Sequence, residues 1–246
     1  MSTPLQRAHR QRIVAAWGVE EGSRLLEVGC GQGDTTEVLA EAVGPAGHVL
    51  AIDSAPRSYG SPMTLGEATD ALKASPIGTR MQFRFETDIL DGSDLGRFDA
   101  AVLSMSSWYF GSEEQLRITL ARLRDVAARL YFAEWDLIPS VLEQLPHLLA
   151  VLIQARLYAI GNIPDGNVRT PLARAQALGV IESAGWTIDR VETVAAGELE
   201  DADWEIRNCL GFGSEPSVAT EIALLASLAK ESGNLSLDTF TVAAYN

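Results

Sequence analysis

Basic charge and cysteine are what this chain has least of. Its 246 residues carry 19 Lys and Arg against 33 Asp and Glu, a formal charge of −14 with the three His neutral. Polyanions are held by rows of cations that release counterions, so the balance argues against nucleic acid as the main partner. Two short basic clusters remain, Arg7 to Arg12 and Arg117 to Arg129, and the second is spaced as a solvated helix face. Cys30 and Cys209 stand far apart, without the paired spacing of a metal site or a disulfide framework. No metal is expected, and the reducing cytosol is the expected, cytoplasmic, home. The opening Met-Ser-Thr-Pro-Leu-Gln-Arg lacks the apolar core of a signal peptide. The longest apolar stretch, Leu145 to Ile153, is interrupted by Pro146 and His147 and is too short to cross a bilayer, so no membrane partner is expected. Internal repeats and low-complexity tails are absent as well.

What is present is apolar residues in alternating periods. At 47% hydrophobic, the chain can bury a large core, and α/β folds of about this length are often one domain, here 1–246. Residues 4–17 read as an amphipathic helix with apolar positions at Leu5, Ala8, Ile13 and Ala16 and a basic outer face. Strands are expected at 24–28, 48–52, 81–86, 98–104, 129–133, 186–194 and 239–245. Helices are expected at 34–42, 64–74, 113–128, 171–184, 202–210 and 216–231, the last capped by Ser214. Alternation of this kind implies an α/β fold, a single doubly wound and mostly parallel seven-stranded sheet. The pattern breaks after Asp136. There 140–160 reads as one long helix or a bent pair hinged at Pro146, followed by a loop over 161–170 that contains Asp165.

The residues richest in chemistry are Glu27-Val28-Gly29-Cys30-Gly31-Gln32-Gly33. Glycine lets the backbone turn sharply and approach a ligand where a Cβ would collide, and the following helix begins with free amides. The spacing is Gly-x-Gly-x-Gly, whereas Gly-x-Gly-x-x-Gly is expected for dinucleotides. Glu27 also disfavours a doubly anionic pyrophosphate and favours an ammonium group.

This motif, with Asp53 at the end of the second strand, Asp88-Ile89 after the third and an aromatic loop after the fourth, resembles the class I S-adenosylmethionine-dependent methyltransferases of small-molecule type. The resemblance covers roughly 13–136 and implies a Rossmann-like methyltransferase fold with S-adenosyl-L-methionine as cofactor. It implies that Glu27, Gly29, Cys30, Gly31 and Gly33 surround the methionine part, with Ser104 nearby. Asp53 and Ser54 then meet the ribose and adenosine, and Asp88 and Ile89 the adenine. Cys30 is expected as a small packed residue rather than a nucleophile.

The acceptor belongs at the carboxyl ends of the strands. Candidates to line its site are Trp108, Tyr109, Trp135, Leu149 and Tyr158, and candidates for deprotonating it are Tyr109, Glu134 and His147. The segment 137–170 is expected to form a helical cap insertion over the cleft. Its apolar content suggests an uncharged or aromatic small-molecule acceptor, methylated at O, N or an activated C. Neither the acceptor nor the oligomeric state follows from the sequence. Two other readings stay open: a nicotinamide-dependent oxidoreductase, in which Asp53 serves the adenosine ribose, and a cofactor-binding scaffold or non-methylating enzyme.

Overall fold

A computed structural model describes residues 3–92, 95–164, 166–213, 215–231 and 233–246. Ser214 and Asp165, expected as a helix cap and a loop residue, lie outside these. Seven strands, β1 (Arg24–Val28), β2 (His48–Ile52), β3 (Met81–Arg84), β4 (Phe98–Ser104), β5 (Ala127–Trp135), β6 (Thr187–Val194) and β7 (Thr239–Tyr245), form one sheet in the order β3-β2-β1-β4-β5-β7-β6. All run parallel except β7, which pairs antiparallel with both β5 and β6. The order reverses between β1 and β4, and a crevice opens there beyond the carboxyl ends of both strands.

The eight α-helices described are α1 (Pro4–Trp17), α2 (Asp34–Ala42), α3 (Leu65–Lys73), α4 (Glu113–Leu123), α5 (Leu145–Ala159), α6 (Arg174–Ser183), α7 (Asp201–Leu210) and α8 (Ala219–Glu231). α1 starts from a Thr3 cap, with Thr3 and Gln6 bonding reciprocally, and ends at Gly18 in the left-handed region. Its buried residues are His9, Ile13, Val14 and Trp17 rather than the expected Leu5 and Ala8, which are exposed. The Trp17 indole donates to the Phe132 carbonyl at 3.1 Å, locking α1 onto β5. One core layer holds α1 and α2 against the sheet through Ile13, Trp17, Leu39 and Val49. The opposite layer holds α4 and α6 through Leu120, Leu123, Ile181 and Trp186.

Two boundaries differ most from expectation. α4 stops at Leu123, and the chain enters β5 at Ala127 although no glycine or proline stands between them. The Phe98 amide donates to the Val126 carbonyl at 2.8 Å, and Phe98 registers on Ala127, so pairing with β4 captures residues that helical spacing also fits. Residues 142–144 form a single 3-10 turn, and Pro146 sits in the first turn of α5, where its missing N–H costs nothing.

The segment expected as a cap does not pack alone. α5 packs against α7 and α8, both inserted between β6 and β7, around Ala150, Ile153, Leu157, Ile206, Val218 and Leu225. β5 and β6 are parallel, so both insertions leave from the same carboxyl edge. A second cluster of Trp108, Trp135, Val151, Val168, Leu199 and Leu237 seals this three-helix layer onto the strand ends. Among the described residues, no helix is long and apolar enough to cross a membrane.

Candidate functional site

β1 ends in the glycine turn, and three of its glycines differ in what they permit. Gly29 has φ +75°, and a Cβ there would stand 2.7 Å from Cβ of Ser106, so only glycine lets the β1 and β4 loops meet. Gly31 has φ +52° and faces open space. Gly33, with φ +86°, turns the other way, where a Cβ would strike Leu72 and Phe83, so it serves packing beneath α2 rather than a ligand.

The turn's amides are already engaged. Gly29 and Cys30 donate to the Ile52 carbonyl at 2.9 and 3.2 Å, Gly33 donates to the Cys30 carbonyl, and Gly31 donates to Asp53 Oδ2 at 2.9 Å. These four turn amides are therefore spent and offer nothing to a pyrophosphate. Asp53 Oδ1 accepts the Ala55 amide at 2.9 Å. With about four lone-pair sites on a carboxylate, Asp53 is braced yet still able to accept two hydroxyls.

These groups open onto one cavity of about 620 Å³, within the roughly 300–1,000 Å³ of ligand pockets. Lining it are Glu27, Gly29, Cys30, Gly31, Asp53, Ser54, Asp88, Ile89 and Ser104, every expected cofactor residue except Gly33. Asp88 also caps the turn at 89–91 by accepting the Leu90 amide at 2.9 Å, which aims the loop and leaves acceptor capacity. Ser106 Oγ donates to the Val28 carbonyl at 3.2 Å, and Met105 beside it is held at φ +55°, a backbone conformation costing of order 1–2 kcal/mol that the tight loop at the cavity floor sustains.

Glu27 is the site's most perturbed acid. It is 2% exposed and accepts a 2.5 Å bond from Thr36 Oγ1. Burial pushes its carboxyl up to about 8, against the pull of the Thr36 bond and of Arg10. A buried acid held neutral for want of a cation is suited to an incoming ammonium group. Burial likewise pushes the Cys30 thiol up, which removes it as a nucleophile.

The three candidate bases fare differently. Tyr109 lines the cavity, but burial, with added effects from Tyr59, Glu205, Glu134 and Asp53, pushes its phenol up to about 12, so it is a hydrogen-bond donor at neutral pH. Glu134 does not reach the cavity. It accepts from Ser107 Oγ at 2.7 Å and Ser107 N at 3.0 Å and holds the 107–109 turn under Tyr109. Burial raises it to about 7. His147 also lies away from the cavity, its Nδ1 accepting the Leu237 amide at 2.9 Å and its ring edge-on to Trp135. Burial lowers it to about 4, so it is neutral and structural.

Of the expected acceptor residues, only Tyr109 lines the cavity. Trp108 and Trp135 are buried beneath the cap, and Leu149 packs with the α5–α7–α8 core. Tyr158 stands just behind the rim, its ring under the Arg169 guanidinium at 5.9 Å. The sequence reading missed Arg10, Thr35, Tyr59, Phe110, Gln115 and Arg169, all of which line the cavity. The basic residues of helix 4–17 are expected on its outer face, and Arg10, which lines the cavity, departs from that expectation. Arg169 is fixed by its neighbourhood: its own amide and that of Thr170 donate to the Trp108 carbonyl at 2.9 and 3.1 Å.

A seven-stranded sheet of this order, with an acid, a glycine turn and two further acids at successive strand ends, defines the class of protein. Comparison with known proteins agrees. Residues 1–63 match the protein-L-isoaspartate(D-aspartate) O-methyltransferase family. The structure is similar to that of a cyclopropane-fatty-acyl-phospholipid synthase-like protein from Lactobacillus casei ATCC 334, with a TM-score of 0.90 and 36% identity, covering 98% of this chain and 91% of that one. The N-methyltransferase NodS from Bradyrhizobium japonicum WM9, in complex with S-adenosyl-L-homocysteine, shares the fold at a TM-score of 0.56 and 16% identity, with 100% and 89% of the two chains covered. The methyltransferase phomM′ of Diaporthe leptostromiformis is 29% identical over 226 residues, covering 74% of this chain. This chain spans 58% of the length of that relative. The chain belongs to the class I S-adenosylmethionine-dependent methyltransferase family, which sets aside the nicotinamide-dependent reading.

Proposed function

We propose that the protein transfers a methyl group from S-adenosylmethionine to a nucleophilic atom of a small molecule. The observation that carries this reading is the cavity in which a buried, uncompensated Glu27, the open space over Gly31, the braced Asp53 carboxylate and the Asp88-Ile89 loop converge. The chemistry of these groups fits the cofactor. Glu27 takes the ammonium group, Asp53 the ribose hydroxyls, Asp88 the adenine amino group, and Ile89 packs on the ring. The bound cofactor supplies an electrophilic methyl group on a sulfonium centre.

The chain's own contribution is alignment and exclusion of water, since an in-line displacement needs the acceptor's lone pair opposite the departing sulfur. The remaining lining, Met105, Tyr109 and Phe110 with Tyr59 across the opening, forms the acceptor side. Its aromatic walls favour a flat acceptor, and the Arg169 guanidinium at the rim suits one that also carries an acidic group. The cap's leucines do not contribute to this preference: none lines the cavity, Leu149 and Leu157 packing in the α5–α7–α8 core and Leu148 against the Trp108–Trp135 cluster. With Tyr109 protonated and Glu134 and His147 away from the cavity, no proton acceptor is assigned, so acceptors with an available lone pair are favoured. The test is transfer from S-adenosylmethionine carrying an isotopic methyl group to a panel of phenols, amines and aromatic carboxylates. Labelled product supports the reading. Tight S-adenosylhomocysteine binding without transfer to any class favours a non-methylating or scaffold role.

A further inference from the structure

Three acids, Glu27, Asp34 and Asp53, line the cavity, and once ionised each repels the carboxylate that the amino-acid part of the cofactor carries beside its ammonium group. Arg10 of α1 lines the same space. Its Nε is buried with no hydrogen-bond partner, and its guanidinium makes no ion pair among the described residues, whereas Arg7 on the same helix is bonded to Glu37 and Glu41. A buried, unpartnered guanidinium nitrogen in a protein of charge −14 is costly unless something else completes it.

Its surroundings indicate where Arg10 sits. Burial raises the carboxyls of both Glu27 and Asp201, and the Arg10 guanidinium acts against that rise in each. Arg10 thus lies within electrostatic reach of Glu27 at the end of β1 and of Asp201, the first residue of α7, whose Oδ2 is likewise buried without a partner. Neither acid closes on it.

Resting on the proposed cofactor reading, we infer that Arg10 receives the carboxylate of the cofactor's amino-acid part, so that Glu27 and Arg10 together read a zwitterion. A guanidinium offers two parallel donors to a carboxylate, a geometry that lysine does not match. The assignment gives α1 a role in ligand recognition beyond covering the sheet. It also makes the amino acid, and not only the nucleoside, a determinant of affinity.

Calorimetric titration with three ligands tests this: S-adenosylhomocysteine, its decarboxylated analogue, which keeps the ammonium group, and 5′-methylthioadenosine, which lacks the amino acid. In the wild type, loss of the carboxylate should weaken binding about ten- to hundredfold, the scale of a charged hydrogen bond. In Arg10→Met, S-adenosylhomocysteine should weaken by the same factor, while the decarboxylated analogue and methylthioadenosine change by less than about twofold. Equal wild-type affinity for S-adenosylhomocysteine and its decarboxylated analogue overturns the inference without recourse to any variant. Equal weakening of all three ligands in Arg10→Met also overturns it. Failure of the wild type to bind any of the three removes the cofactor reading itself, and the inference with it.

Discussion

Replacing Glu27 by Gln should stabilise the protein and impair it in one step. The carboxyl ionises near 4.5 when exposed and near 8 when folded, because burial disfavours its charge. A raised acid binds its proton more tightly in the native state, so its contribution to stability is greatest below pH 4.5 and is lost as pH climbs towards 8. At about 1.4 kcal/mol for each tenfold change in proton affinity, the full cost above pH 8 is about 3–5 kcal/mol. Gln is neutral throughout and keeps an oxygen for the Thr36 hydroxyl, so Glu27→Gln should match the wild type near pH 4.5 and exceed it progressively up to pH 8. Urea unfolding of both proteins at pH 5, 7 and 9 measures the difference. The same variant should bind S-adenosylhomocysteine about ten- to hundredfold more weakly, since an amide cannot pair with the ammonium group. Wild-type affinity should also rise with pH towards 8, because binding expels the Glu27 proton, and this rise should vanish in the variant. A stability gap that does not change with pH, or unaltered binding, would refute the reasoning.

Asp53→Ala should weaken S-adenosylhomocysteine binding by about 1.5–3 kcal/mol in calorimetry while the protein remains folded, and an unchanged dissociation constant would remove Asp53 from the site. Gly31→Val should abolish detectable binding, because a branched side chain resists φ +52° and projects into the cavity; retained affinity would make the turn structural only. Hydrogen exchange distinguishes a rigid cap from a mobile one. The α5 amides, in a helix buried against α7 and α8, should be protected with and without ligand, while the Arg169 and Thr170 amides should slow when S-adenosylhomocysteine binds. Equal and strong protection of both regions in the free protein would exclude movement at the rim.

The sheet was legible because each strand is a short apolar run that stops at a turn signal, and the cofactor motif because its residues lie within a few positions of those strand ends. A helix was expected through 128, whereas 124–126 make a turn without a breaker and 127–128 already belong to β5, because only long-range pairing with β4 decides the outcome. The acceptor side was least legible. Trp108, Trp135 and His147 have the chemistry of site residues, yet they fill the seam between cap and sheet, because α5 and the distant residues Leu199 and Leu237 close over them. The same distant folding brings Arg169 to the rim and leaves Arg10 facing inward, and neither position follows from a local pattern.

The most direct test of the central claim is a crystal structure of the protein with S-adenosylhomocysteine. The account predicts the ligand in the cavity at the ends of β1, β2 and β4, with its amino group within hydrogen-bond distance of Glu27, its ribose hydroxyls on Asp53 and its adenine between Asp88 and Ile89. Ligand density elsewhere, or in this cavity with the ribose turned away from Asp53, would contradict it.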